Sequence, residues 1–243
     1  MSAPPPMPAV PPVPVHGPHR ADCPWCGSLR LRPRPARQDP RQKAAPARSA
    51  LDRCRDCGHA FRNPPLDPRP APPAVRAGVR LRHALAARAM LRRCPDPESW
   101  LDVGTGDADF PRTARTYFPY TSFDGVDPTH RVLRARAAER VEEAYVGRLA
   151  DPHIASRLRA RYDVVSLFQH LERVPDPRAE LRAALRTLRP GGHLLLDIAD
   201  PRRLCAPPPH PAGLRAELEA HGCAVLTGPR DTRLVARKEE SAP

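Results

Sequence analysis

Lysine is nearly missing from this 243-residue sequence. Of its 40 basic residues only Lys43 and Lys238 are lysine; the rest are arginine. Asparagine occurs once, at Asn63, and isoleucine twice, at Ile154 and Ile198. Residues with AT-rich codons are scarce, while proline reaches 35. The net charge of +13 therefore has two readings. One is a polyanionic partner such as RNA. The other, preferred here, is genome composition, which favours arginine codons.

Long apolar runs are also missing. No stretch reaches the 18 residues that a membrane-spanning helix needs. The opening segment "MSAPPPMPAVPPVPVHGPHR" lacks a basic start, and prolines break up its apolar residues. That composition does not read as a signal peptide, so a cytoplasmic protein without membrane contact is expected. Residues 1–20 cannot bury enough apolar surface to offset the entropy of ordering, and are expected to form a disordered tail.

Seven cysteines, an odd number without a secretion signal, argue against a disulfide framework and for metal plus free thiols. Cys94, Cys205 and Cys223 stand alone. The other four form "CPWCG" (Cys23, Cys26) and "CRDCG" (Cys54, Cys57), with 27 residues between the pairs. In each C-x-x-C-G unit a tight turn brings two thiolates together, and glycine accommodates the turn. Two such units can close a tetrahedral Cys₄ zinc site. Four thiolates leave no open coordination position, so a structural metal is expected. A redox pair would sit on a strand-to-helix turn within its own sheet, a setting neither pair has.

From Ser99 the pattern alternates strand and helix. "SWLDVG", "TSFDGVD", "EEAYVG", "YDVVSLF" and "HLLLDIA" read as strands with helical segments between them. "PAGLRAELEAHG", "CAVLTG" and "TRLVARK" close the array as helix, strand, strand. Such alternation predicts an α/β fold: a doubly wound, mostly parallel, Rossmann-like sheet. "AVRAGVRLRHALAARAMLRR" (74–93) reads as a preceding helix, with Val75, Val79, Leu81, Leu85 and Met90 as its apolar positions. "RPGG" after the helix "DPRAELRAALRTL" reads as a helix stop. The expected organisation is a tail over 1–20, a zinc-ribbon module over 21–66 and a proline-rich linker over 67–75. The sheet domain follows over 76–237 and a short tail over 238–243.

"WLDVGTGDADF" (100–110) lacks one thing that decides its ligand. The dinucleotide fingerprint G-x-G-x-x-G needs a third glycine where Asp109 stands. In doubly wound sheets ligands sit beyond the carboxyl ends of the strands, where this turn lies. Asp102, Asp107 and Asp109 crowd the turn and would repel pyrophosphate. A cation is expected instead, and S-adenosylmethionine carries a sulfonium and an ammonium but no phosphate. Asp127 ends the next strand, "FDGVD", where a carboxylate can accept both ribose hydroxyls.

"LDVGTGDADF", "FDGVDPT", "YDVVSLFQHLERVPDP" and "LRTLRPGGHLLLDIADP" together resemble the ordered motifs of class I S-adenosylmethionine-dependent methyltransferases. The resemblance implies that Asp102, Gly104 and Gly106 hold the methionyl part and Asp127 the ribose. Leu149 and Ala150 fall where the adenine site begins. Phe168 and Gln169 fall where the methyl donor meets the acceptor. Ala108 stands where the family often has a further glycine. Arg148 stands near an acidic adenine contact, for which Asp151 is a substitute. Related enzymes read Glu-His-Val where this chain has Glu172-Arg173-Val174. His170 and Glu172 are the best-placed candidates for a catalytic base, with His210 a weaker one.

A methyltransferase with a small-molecule acceptor, sugar- or metabolite-like, is the leading expectation. The alternative within the class is an RNA methyltransferase that uses the basic zinc module. The alternative outside it is a non-catalytic scaffold built on the same fold.

Overall fold

The structure, a computed structural model, describes residues 19–34, 50–64, 76–197, 211–228 and 233–240. The proline-rich start, the linker over 67–75, His210 and the last three residues lie outside these. No described helix is long and apolar enough to cross a membrane.

A three-stranded antiparallel sheet comes first: β1 (Leu31–Arg34), β2 (Ala50–Cys54) and β3 (Ala60–Asn63), in the order β1-β2-β3. Gly27 and Gly58 follow the second cysteine of each pair with φ of +73° and +71°. A left-handed residue is needed there so that the Gly27 and Gly58 amides can donate back to the carbonyls of Cys23 and Cys54. Asn63 donates to buried Asp52 at 2.7 Å and exchanges hydrogen bonds with the Arg20 backbone, fastening the chain's entry to β3.

Six α-helices and seven strands follow β3 among the described residues. They are α1 (Arg76–Leu91), β4 (Ser99–Val103), α2 (Asp109–Ala114), β5 (Ser122–Asp127), α3 (Arg131–Ala137) and β6 (Ala144–Val146). Then come α4 (Pro152–Arg157), β7 (Tyr162–Phe168), α5 (Pro177–Thr187), β8 (Leu188–Asp197), α6 (Pro211–Glu219), β9 (Cys223–Val225) and β10 (Arg233–Lys238). The seven strands order as β6-β5-β4-β7-β8-β10-β9. Every pair is parallel except the two that β10 makes, with β8 and β9. Strand order reverses between β4 and β7, which makes their carboxyl ends the switch point of the sheet.

The central strands are apolar because helices cover both faces. Leu194, Leu195 and Leu196 of β8 are all buried, alternating between two clusters. On one face Ala86, Ala87 and Met90 of α1 and Phe110 of α2 pack on Trp100, Val164 and Leu195. On the other, α4, α5 and α6 bring Ile154, Leu181, Leu185, Leu214 and Leu218 onto Leu101, Val165 and Leu196. Cys23, Trp25, Cys54 and Phe61 join this second cluster, so the small sheet shares a core with the large one.

Two expectations about local structure are corrected. Leu81 and Leu85 of α1 are 63% and 48% exposed. The buried face runs through His83, Ala86, Ala87 and Met90, because Leu81 lies about 140° around the helix from Ala86 at 100° per residue. "RPGG" is not a loop after a helix. Helix α5 ends at Thr187, and β8 already starts at Leu188, which pairs with Tyr162 before an irregularity shifts the register to Val164↔His193. A side chain on Gly192 would meet the carbonyls of Arg189, Tyr162 and Asp163 at 3.0–3.2 Å, so the strand can bend there only with glycine.

Candidate functional site

The turn after β4 hangs from β5. Gly104 and Thr105 donate to the carbonyl of Val126, and Gly106 donates to Asp127 Oδ2 at 2.9 Å. Asp127 Oδ1 accepts from the Thr129 amide at 2.9 Å and from its hydroxyl. The expected ribose ligand thus also braces the glycine turn, leaving further lone pairs on each oxygen.

The expected crowd of free carboxylates is corrected. Asp107 pairs with Arg131 at 2.6 Å and Arg134 at 3.3 Å, and its carbonyl accepts from Arg140. These guanidinia hold its carboxyl below the usual range. Asp109 pairs with Arg112 at 3.1 Å. Asp102 is buried beneath the turn, in a chain that runs from Trp100 Nε1 to Ser166 Oγ (3.0 Å) and from there to Asp102 Oδ1 (2.6 Å). Burial pushes Asp102 up to about 7, against the pull of Ser166 and His170. Arginines of α2 and α3 therefore neutralise much of the turn's charge, and the turn does not present three bare carboxylates to a ligand.

Gly104 has φ of +72°, and a Cβ there would fall 2.2 Å from His170 Nδ1. The side chain that demands glycine at this point is therefore His170, which follows β7 by two residues. His170 Nε2 lies 3.0 Å from Glu180 Oε1. Glu180, only 1% exposed, also accepts from the amides of Leu149 (3.2 Å) and Ala150 (3.0 Å). Its carboxyl is buried, but these contacts hold its pKa below the usual glutamate range. Leu149 itself is fully buried in the core and Ala150 borders it. Sequence reasoning missed Glu180. It lies ten residues beyond His170 on the next helix, and only the fold brings it to both loops.

Gln169, with φ of +49°, turns the chain out of β7, and its amide donates to the Asp197 carbonyl at 3.0 Å. Its side-chain oxygen, turned toward α1, accepts from the Arg82 guanidinium. Phe168 packs on Phe110 and His83, with ring centroids 4.2 and 4.9 Å apart. Burial lowers His83 to about 4, which leaves it neutral. Glu172 sits on a 3-10 turn, Leu171–Arg173, and burial raises its carboxyl, with Asp197 adding to the effect. Asp151 accepts from the Arg148 amide at 2.8 Å within its own loop.

The four paired cysteines converge, with their sulfurs all within 4.8 Å of one another. Cys23–Cys57 and Cys26–Cys54 are 3.6 Å apart. Sulfurs bound about 2.3 Å from one tetrahedral zinc lie about 3.8 Å apart, so the donor set and its spacing fit that ion.

A parallel sheet with one antiparallel strand next to its edge, a glycine turn at the switch point and an acid ending the neighbouring strand define the class I methyltransferase fold. A family model described as a methyltransferase domain matches residues 76–227, and the chain belongs to that family. Over 97 residues it is 39% identical to the ubiquinone biosynthesis O-methyltransferase of Cronobacter sakazakii, covering 39% of each protein. Over 99 residues it is 38% identical to that of Aeromonas salmonicida, covering 40% of this chain and 41% of the relative. The chain thus matches about two fifths of the length of these curated relatives. Among solved structures it is similar to CalS10 with bound S-adenosylmethionine, an amino pentose methyltransferase of Micromonospora echinaspora. That likeness has a TM-score of 0.53 at 18% identity and covers 71% of this chain and 99% of the other. The CurJ carbon methyltransferase also has a TM-score of 0.53, at 16% identity, covering 65% of this chain and 54% of the other. These likenesses concern the fold.

Proposed function

We propose that this chain is an S-adenosylmethionine-dependent methyltransferase that acts on a small-molecule acceptor and carries one structural zinc ion. The observation that carries the reading is the coupling of the glycine turn to Asp127 at the switch point. That arrangement sets a side-chain-free backbone turn beside a carboxylate with spare lone pairs, a set suited to an amino acid and a ribose. Asp102, Gly104 and Gly106 would hold the methionyl part, Asp127 the ribose and the loop at Leu149 and Ala150 the adenine. When bound, the donor supplies an electrophilic methyl group on its sulfonium. The chain's own part is alignment, with Phe168 and Gln169 bordering the acceptor and His170 held in place by Glu180. Cys23, Cys26, Cys54 and Cys57 would hold zinc with no open position, tying the small sheet to the large one. The small-molecule acceptor is favoured by the curated O-methyltransferase relatives.

One observation favours an RNA acceptor as a second reading. A cleft of about 390 Å³ between the cysteine module and α5 is lined by Arg20, Arg178, Arg182 and Arg186. Yet Arg178 and Arg182 are both paired with buried Glu217, and Arg20 with Asp22, which reduces the charge available to phosphates.

Calorimetry with S-adenosylmethionine on metal-loaded protein tests the main reading. Binding is expected, and Asp127→Asn should weaken it at least tenfold, its amide nitrogen also giving up one bracing contact, to Gly106 or to Thr129. Unchanged affinity in the variant removes the ribose assignment; preferential binding of ATP or NAD removes the donor. Elemental analysis should find one zinc per chain, released by thiol modification. RNA binding with a steep salt dependence would favour the second reading.

A further inference from the structure

More than half of the net charge sits on about one fifth of the chain. Residues 19–64, the cysteine module, carry eleven basic residues against four aspartates, a net charge of +7. The other 197 residues carry twenty-nine basic residues against twenty-three acids, a net charge of +6. A codon bias toward arginine would spread charge along the whole chain, so composition does not account for this concentration.

The fold turns the charge outward. Positions alternate across the small sheet in unbroken register. One set, with Asp52, Cys54, Phe61 and Asn63, is buried. The other set forms two rows on the outer face, Arg32–Arg53–Ala60 and Arg34–Leu51–Arg62. Four of these six positions are arginine and none is acidic. Arg32 and Arg53 are both exposed and stand directly opposite each other, an arrangement that weakens a sheet. Charge on an edge strand guards against edge-to-edge pairing, but Arg53 lies on the central strand β2, where that purpose is absent. Arg55, on the turn after β2, is exposed as well.

The module's own acids do not cancel this charge. Asp22 pairs with Arg20, Asp56 pairs with Arg30, and buried Asp52 accepts from Asn63. The fourth, Asp39, belongs to the stretch 35–49, which itself holds four basic residues. A basic cluster kept at a cost to the sheet calls for an anion from outside.

The make-up of the face selects that anion. Its six positions include one leucine and no aromatic residue, and the module's Trp25 and Phe61 are buried. Protein interfaces are centred on aromatic anchors, and membrane-surface elements insert aromatic and leucine side chains. Single-stranded nucleic acids are held by stacking bases on aromatic rings. A duplex needs none of these, because its bases stack on one another and its phosphates suit forked guanidinia.

We infer that the outer face of the small sheet, with Arg32, Arg53 and Arg55, is a docking surface for the phosphate backbone of double-helical nucleic acid. Contacts to phosphates make binding independent of base sequence and steeply salt-dependent. The surface is separate from the donor site, and it stands whether the methyl acceptor is a small molecule or RNA itself.

Fluorescence anisotropy on the full, zinc-loaded chain tests this, with RNA and DNA duplexes of about 16 base pairs, the span of a typical duplex-RNA module. At least one duplex should bind. Replacing both Arg32→Gln and Arg53→Gln should weaken binding at least tenfold at about 0.1 M salt and lower the slope of log affinity against log salt by about 1.8, two phosphate contacts. The same charge removed from α1 by Arg88→Gln and Arg92→Gln should leave the slope within about 0.5 of the parent's. The sheet pair should unfold at no lower temperature than the parent, since like charges are relieved, and should keep its affinity for S-adenosylhomocysteine. Should the pair lose zinc, Arg55→Gln alone decides, with a slope lower by about 0.9. Binding of RNA and DNA alike, or of RNA in preference, both support the surface. No duplex binding, equal losses in the α1 pair, or tighter binding of phosphatidylserine vesicles or a polyglutamate peptide would overturn it. Failure of S-adenosylhomocysteine to bind the parent would overturn the donor reading and leave the surface standing.

Discussion

The two sides of the β7 carboxyl end are built on opposite terms. On the adenine side one buried carboxylate matches three groups. Glu180 takes His170, the Leu149 amide and the Ala150 amide at once, and His170 fills the space over Gly104. On the other side Asp197 and Arg233 are register partners across a strand pair, with no ion pair between them and with Arg233 Nε buried and unpartnered among the described residues. The first arrangement is a finished piece of protein structure. The second leaves a buried guanidinium nitrogen without a partner, an exception among buried polar groups.

The largest effect should come from breaking the finished side. Glu180→Ala strands a buried imidazole and two buried amides, and should lower the unfolding free energy by about 3–5 kcal/mol, as for a buried pair that loses one member. Urea unfolding measures it; a loss below about 1 kcal/mol, the net worth of one ordinary hydrogen bond, would mean the hub is not structural. Next in size is Gly104→Ala. A left-handed alanine costs about 1–2 kcal/mol by itself, and the clash with His170 adds to that. Pairing it with His170→Ala should recover the clash but not the backbone cost, a coupling of about 1 kcal/mol or more in a double-mutant cycle. Additive losses would place His170 elsewhere in solution.

Asp102 gives a smaller, pH-dependent test beneath the same turn. Its folded pKa is raised to about 7 from the ordinary 3.8. Between those values the folded chain keeps a proton that the unfolded chain has released, so this group's contribution to stability falls as pH rises through the window and is flat above it. Asp102→Asn lacks that slope. Thermal unfolding at pH 4, 5.5, 7 and 8 should show the variant gaining on the parent up to about pH 7 and then holding level. A constant gap would mean that Asp102 is ionised throughout. The smallest effect should be that of Arg233→Met, less than about 1 kcal/mol in stability, because an arginine with an unmet buried donor gives up little when replaced by an apolar chain. A large loss there would erase the contrast between the two sides.

Much of the sheet was legible in the sequence, because period-two and buried runs such as "YDVVSLF" and "HLLLDIA" mark strands wherever they occur. The cysteine convergence was legible for a similar reason: C-x-x-C-G carries its own turn, and glycines sit at both left-handed positions. The charge at the glycine turn was not. Arg131, Arg134 and Arg140 reach Asp107 from 24 to 33 residues downstream, a distance that no local window spans. Glu180 was hidden by looking like an ordinary helix residue. Asp197 and Arg233 were hidden by register, since a one-residue slip between β8 and β10 would put them on opposite faces. The face of α1 was misread because alanines, not leucines, touch the sheet, and alanine carries a weak apolar signal.

Trp25 rides between the first two cysteines, and its indole nitrogen would lie 3.4 Å from a side chain placed on Gly213, in the first turn of α6. Its ring, with Phe61, belongs to the same oily patch as Leu214 and Leu218. Cutting the chain between the two sheets would strip a waterproof covering from each half. Fragments expressed separately should clump, and mixing them in the presence of the metal should be the way to restore clear solutions.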